Sequence, residues 1–248
     1  MQQDRLYEDP DLTQFYDIEN GWAEDLDYCR NLAAGRSSVL DLGCGTGLFA
    51  ATLAQEDGRS VVGVDPAGPM LDIAAARPGG QRAQWVQGDA RQIRLDRRFD
   101  LIVLTGHAFQ VFLDQQDQAA VLRTIAVHLT HDGRFVFDSR NPAVEAWKKW
   151  TPDRSRRRIE HPTLGRALAW NDALHDPSTG VVTYGTCYKM TANDRTYSSQ
   201  SRIAFPTQAQ IASLLPAAGL TVQQWLGNWS GVPYGPMTPE IIPVGMLS

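Results

Sequence analysis

Short β-like runs with apolar centres recur along the first 140 residues, at positions 37–42, 61–65, 85–89, 99–104 and 133–138. Their length and β-branched content are those of strands buried on both faces. Between them, apolar residues fall at helical spacing from Leu48 to about Gln55, again up to Ala74, and from about Ala119 to Leu129. Strands that alternate with helices predict a parallel sheet with right-handed crossovers.

The flanks follow other rhythms. Before Ser37, an aromatic segment holding Phe15-Tyr16-Asp17 leads into a helix predicted over 22–33, placed to cap one edge of the sheet. After Pro142 the pattern becomes β-rich over 166–175, 181–190 and 196–205, and Asp176-Pro177-Ser178-Thr179-Gly180 supplies turn chemistry between the first two. That reads as an antiparallel β insertion. Thr207 is placed to N-cap a helix running to about Ala218, and strands over 220–226 and 241–246 close the chain. The expected organisation is one domain over 1–248. It divides into a helical cap (1–36), a sheet core (37–142), the insertion (143–206), and a closing helix with strands that rejoin the core (207–248).

Composition narrows the class without naming a chemistry. With 248 residues, 43% hydrophobic and 21% charged, the chain suits one globular α/β domain. A net charge of −5 weighs against a nucleic-acid partner, since phosphate neutralisation needs a broad basic surface. The one basic run, Arg154-Ser155-Arg156-Arg157-Arg158, reads as a solvated approach to a strand. Cys29, Cys44 and Cys187 are too scattered for a disulfide framework or a zinc site, so no metal is expected. No stretch reaches the roughly 20 apolar residues of a membrane span, and the start lacks the apolar core of a leader. A cytoplasmic protein, monomeric or homodimeric and without a membrane partner, is the expectation.

The chemistry concentrates in Asp41-Leu42-Gly43-Cys44-Gly45-Thr46-Gly47, at the carboxyl end of the first strand, where open α/β sheets bind ligands. Glycines there let a ligand approach the backbone. The spacing GxGxG differs from the GxGxxG of dinucleotide sites. The acid ahead of it would repel a pyrophosphate and attract an ammonium or sulfonium. Asp65 ends the second strand, where a carboxylate can accept both ribose hydroxyls. Met70, one helical turn on, is placed to cover an adenine face, and Asp89 to accept from an adenine amino group.

Asp41 to Gly47, Val64-Asp65-Pro66, Gly88-Asp89-Ala90 and Asp132-Gly133-Arg134 together resemble the motifs of class I S-adenosylmethionine-dependent methyltransferases, over about 37–138. The resemblance implies a Rossmann-like sheet, mostly parallel with an antiparallel last strand. It implies S-adenosylmethionine as cofactor and S-adenosylhomocysteine as product. It assigns Asp41, Gly43, Gly45 and Gly47 to the methionine end, Asp65 to the ribose, and Asp89 and Ala90 to the adenine, with Pro66, Met70, Thr105 and Gly106 also expected at the cofactor. The segment around Tyr16 is similar to that of small-molecule methyltransferases, sugar N-methyltransferases among them, in which an aromatic residue closes over the cofactor.

Methyl transfer is an in-line displacement at an activated carbon, so orientation and water exclusion carry much of the catalysis. A base is needed only where the nucleophile arrives protonated. The loop after the fourth strand, with Thr105, Gly106 and His107, faces the methyl in this fold, and imidazole titrates near neutrality. His107 is thus the candidate base, and the other reading is a residue that only shapes the pocket. Asp138, Arg140 and Asn141 are placed on the acceptor side, although Asp138 equally suits bracing of the loop at Pro142. The insertion, the expected substrate-recognition element, brings Trp170, Tyr184 and Tyr188, whose alternative is core packing. The loop lacks the Asn-Pro-Pro-aromatic signature of DNA amino-methyltransferases and the Pro-Cys pair of cytosine C5 enzymes. The expected acceptor is a small molecule offering nitrogen or oxygen. The rival readings are a nucleotide-dependent Rossmann oxidoreductase and a non-catalytic cofactor-binding scaffold.

Overall fold

The computed structural model describes residues 5–248; residues 1–4, which hold most of the start judged to lack a leader, lie outside it. Apolar runs build the central sheet from β1 (Ser38–Leu42), β2 (Ser60–Asp65), β3 (Gln84–Gln87), β4 (Phe99–Leu104) and β5 (Leu129–Phe137). The short β6 (Ser139–Arg140) follows directly. Chain-distant β11 (Leu220–Leu226) and β12 (Glu240–Leu247) complete it, in the order β3-β2-β1-β4-β5-β12-β11, with β6 beside β12. β12 runs antiparallel to both β5 and β11, and the remaining pairs from β3 to β5 are parallel. The chain order reverses between β1 and β4, which opens the crevice at their carboxyl ends.

Both faces of this sheet are dry. One buries Leu40, Leu42, Ile102 and Phe135 against α7 (Gln115–His128) and α9 (Gln208–Leu214). The other buries Val39, Val61, Leu101 and Val103 against α4 (Glu24–Leu32) and α5 (Leu48–Leu53). A fifth long element, α6 (Gly68–Ala76), follows β2. The expected N-cap holds: Thr207 caps α9 in a reciprocal box with Gln210. A 3₁₀ turn, Pro216–Ala218, ends the helical stretch, because Pro216 cannot continue the α-helical ladder. His131, Asp132 and Gly133 fall inside β5, and His131 is exposed.

The insertion forms a second antiparallel sheet of β7 (Arg157–His161), β8 (Gly165–Asp176), β9 (Val181–Met190) and β10 (Thr196–Ala204), in the order β10-β9-β8-β7. The basic run therefore enters a strand, and Arg157 is half-buried in it. Three short helices, α1 (Arg5–Glu8), α2 (Pro10–Thr13) and α3 (Tyr16–Glu19), lie across this sheet and the crevice. Phe15, fully buried, stacks on Tyr188 at 4.3 Å between ring centres. Arg157 pairs with Glu19, which also accepts the Tyr188 hydroxyl at 2.9 Å. Among the described residues, no helix is long and apolar enough to cross a membrane.

Gly47 shows why the turn after β1 demands glycine for packing as well as for backbone freedom. Its φ is +71°, and a methyl group there would sit 2.5 Å from the Trp85 ring and 2.6 Å from the Ala74 side chain. Gly58 has a similar φ of +79° with open space around it. Gly58→Ala is expected to lose about 1–2 kcal/mol from left-handed strain alone. Gly47→Ala is expected to lose about 2–4 kcal/mol, as overpacking adds to that strain. Denaturant unfolding of both variants tests this, and equal losses would contradict it.

Candidate active site

A cavity of about 960 Å³ opens between the crevice, the short N-terminal helices and the inserted sheet. This is at the upper end of the roughly 300–1,000 Å³ typical of ligand pockets. At its floor the glycine turn folds back over β2, as the Gly43 and Cys44 N–H groups donate to the Val64 carbonyl at 2.7 and 3.0 Å. Asp65 then joins the turns after β1 and β2, accepting from Gly45 N–H at 2.8 Å and Ala67 N–H at 2.9 Å. Burial raises its pKa, and those two N–H bonds oppose the rise. Each carboxylate oxygen keeps a lone pair for a ligand hydroxyl.

Tyr16 closes the floor from above. A methyl at Gly45 would lie 3.8 Å from its ring, and one at Gly106 would lie 3.9 Å from its hydroxyl. Burial, followed by the Asp65 charge, pushes the phenol well above its ordinary range, so it stays a neutral donor. The short helix carrying Tyr16 is clamped to the turn through Asp17, which accepts from Thr46 Oγ1 at 2.6 Å and pairs with Arg77. Arg77 also donates to the Thr46 carbonyl at 2.8 Å.

Of the residues expected at a cofactor, Tyr16, Gly43, Gly45, Asp65, Pro66, Asp89, Ala90, Thr105 and Gly106 line this one cavity. Three do not. Met70 is fully buried, so the expectation that it covers an adenine face is corrected; Pro66 and Ala67 are the residues of that turn that reach the wall. Gly47 is turned toward Trp85 and Ala74, and its role is packing. Asp41 is 3% exposed and stands behind the turn, with no part in the wall. Asp89 does line the cavity, but Arg91 already holds it through Nε at 3.0 Å and a second nitrogen at 2.5 Å. That pairing, first among its causes, keeps the Asp89 carboxyl below its ordinary pKa.

The loop after β4 delivers a cluster that local sequence does not reveal. His107 adopts φ +62° and opens a 3₁₀ turn. Its N–H donates to Asp138 Oδ1 at 2.9 Å, while Nε2 lies 3.1 Å from both Glu240 carboxylate oxygens and 3.6 Å from Asp138 Oδ2. Asp138 is 1% exposed and its Oδ2 has no hydrogen-bond partner. Burial raises its pKa most, with the nearby His107 opposing. Among the described residues these three donors are the one His and carboxylate group close enough to hold a metal ion. Asp138 therefore braces His107 from behind the wall, and Asn141 braces the loop, donating to the Pro236 and Thr238 carbonyls.

On the acceptor side, Arg140, Tyr184 and Tyr188 line the cavity, joined by Trp150, Arg157 and Arg202. Trp170 does not line it. Trp147 packs on His175 and Phe205, and Trp225 and Trp229 pack against the two faces of the main sheet. Those aromatics are core.

The methyltransferase-domain family matches residues 39–133. The chain is 30% identical over 207 residues to the cypemycin N-terminal methyltransferase of a Streptomyces species, covering 84% of this chain and 82% of that one. It is 27% identical over 225 residues to dTDP-3-amino-3,4,6-trideoxy-alpha-D-glucopyranose N,N-dimethyltransferase of Streptomyces venezuelae, covering 83% and 84%. In three dimensions it resembles the CcbJ methyltransferase of Streptomyces caelestis, with TM-score 0.75 and 22% identity over 95% of this chain and 97% of that one.

Asp41 gives this site a pH signature. Burial first, then the Asp65 charge, pushes its carboxyl up to about 7, opposed by the Ala50 N–H. The unfolded value is near about 4. A folded pKa above the unfolded one means the stabilisation is complete below pH of about 4 and is lost as pH rises through about 7. In ligand-free protein, the wild-type melting point should therefore fall relative to that of Asp41→Asn across this window and run parallel to it above. A constant offset from pH 4 to 8 would contradict a protonated, buried Asp41.

Proposed function

We propose that this chain, which belongs to the class I S-adenosylmethionine-dependent methyltransferases, methylates a nitrogen or oxygen of a small molecule, nitrogen being the favoured nucleophile. The observation that carries this reading is one cavity with a built cofactor floor at one end and aromatic and cationic groups at the other. Nitrogen is favoured because both curated relatives described above are named for N-methylation. Membership of the family sets aside the oxidoreductase.

The residues present fit the cofactor. Glycines at 43, 45 and 106, all with positive φ, leave the floor free of side chains, and Asp65 offers two placed acceptors for a ribose. Asp89 and Ala90 line the end assigned to the adenine, and Asp41, behind the turn, is the carboxyl that a bound cationic methionine portion would draw into its ionised form. When bound, S-adenosylmethionine supplies a methyl group already activated by its sulfonium. Tyr16 excludes water from above, and Thr105 and Gly106 shape the passage toward the acceptor. His107 holds the acceptor's proton. Glu240 accepts from Nε2–H, which fixes that tautomer and leaves Nδ1 as the free base nitrogen. The carboxylates of Glu240 and Asp138 then stabilise the imidazolium as it forms, as in other acid-oriented histidine bases.

Asp65→Ala should weaken S-adenosylmethionine binding by about 1–3 kcal/mol, the value of lost hydrogen bonds to a charged group. Calorimetry tests this, and an unchanged affinity would remove Asp65 from the site.

Acceptors would come from a screen of small amines, alcohols and peptides for products heavier by one methyl group. With a turned-over acceptor in hand, His107→Phe should lower kcat by roughly 10²–10⁴-fold, the usual worth of a general base, with cofactor affinity kept. Exhaustive EDTA treatment should leave kcat unchanged. Loss with EDTA and recovery with a divalent ion would instead make His107, Asp138 and Glu240 metal ligands, and an intact kcat in His107→Phe would leave His107 as a wall.

A further inference from the structure

We infer that the methyl acceptor carries an anionic group, a carboxylate or a phosphate, and that Arg140 receives it. The inference rests on the reading of this cavity as the acceptor site and adds to it the charge of the acceptor.

Charge matching along the cavity wall leads to Arg140. Arg157 is neutralised by Glu19, and Asp89 by Arg91. Asp65 is occupied with two backbone N–H groups. Among the described residues Arg140 has no such partner. It donates one N–H to Gln110 Oε1 at 3.0 Å, and its guanidinium carbon lies 5.2 Å above the Trp150 ring. A guanidinium has five N–H donors, so four have no acceptor among the described residues. Glu240 stands opposite Arg140 in the β6–β12 register, but its carboxylate is engaged with His107. The buried charge of Asp138 reaches Arg140 only at longer range.

The supports of Arg140 are neutral and rigid. Gln110 is fully buried and anchored by its Nε2, which donates to the Ala204 carbonyl at 2.7 Å. Trp150 packs edge-on against Tyr184, whose side chain also lines the cavity. A planar cation held by an amide and an indole, with its fork free, is pre-organised for bidentate recognition of a carboxylate or phosphate. Arg202, at the exposed edge strand β10, lines the same cavity and has no ion-pair partner among the described residues. Glu8, on α1, also lines the cavity, and among the described residues it pairs with neither arginine. Two cations with free donors thus face the acceptor half of the cavity.

The test uses the full chain with S-adenosylhomocysteine bound and arginines labelled with ¹⁵N. Inorganic phosphate and, separately, acetate are titrated while the Arg140 Nε–H signal is followed. A saturable shift with one of them is expected, and the anion that binds more tightly identifies phosphate or carboxylate as the acceptor's group. Arg140→Gln should weaken that binding at least tenfold, and Arg140→Lys, which keeps the charge but not the fork, at least threefold. The lysine variant also serves if the glutamine variant does not fold. No saturable binding of either anion, unchanged affinity in the Arg140 variants, or loss only in Arg202→Gln would each overturn the inference. Calorimetric binding of S-adenosylhomocysteine to the same samples keeps the outcomes separate: if it binds and the anions do not, the charge assignment fails while the cofactor reading stands.

Discussion

The whole arrangement depends on one carboxylate shared between two turns. Asp65 ties Gly45, from the turn after β1, to Ala67, from the turn after β2, and so fixes the β1–β2 side of the crevice that opens between β1 and β4. Both oxygens are used on backbone donors, and the group is 8% exposed. An unpaired buried carboxylate would be costly, but this one is satisfied by N–H groups it simultaneously holds in place. The geometry of the floor and the ionisation of Asp65 are therefore one problem with one solution. Asp41, pressed against the same charge and lacking comparable partners, bears the opposite consequence and is held near neutrality.

The upper half of the site is organised differently. Its two parts, the N-terminal helices and the inserted sheet, are fastened to each other by the Glu19, Arg157 and Tyr188 cluster and by Phe15 stacked on Tyr188. The cap is fastened to the floor through Asp17, Thr46 and Arg77. Polar clasps at the cavity's rim are compatible with opening, since exchange with water offsets much of their loss. The dry faces of the main sheet have no such alternative and stay fixed.

β1, β2 and β4, buried along almost their whole length, differ from their expected limits by at most one residue, because apolar runs leave little choice of register. β9 and β11 match their expected limits although polar residues interrupt them. β7 was hidden by its basic residues, since a strand whose arginine finds Glu19 looks solvated until that partner is in place. Residue type also does not give direction. Met70 and Gly47 sit at the expected positions but turn inward, one into the core and one against Trp85. Glu240 was invisible for a further reason: it is 133 positions from His107, and nothing local marks it beyond an acid at the start of a strand. Cofactor motifs are local because a turn makes them, whereas the acceptor side is assembled across the chain.

The antiparallel β12 lies between β5 and β11 and carries Glu240 beside His107. Translation delivers this inner strand after every other strand of the sheet has been made. A nascent chain that has emerged through β11 already holds the glycine turn, Asp65 and the loop bearing His107, but β5 and β11 then have an unfilled slot between them. During synthesis the cofactor half can take shape early, while the histidine lacks its carboxylate partner until the sheet closes. Insertion of β12 between β5 and β11 thus also completes the proposed catalytic pair.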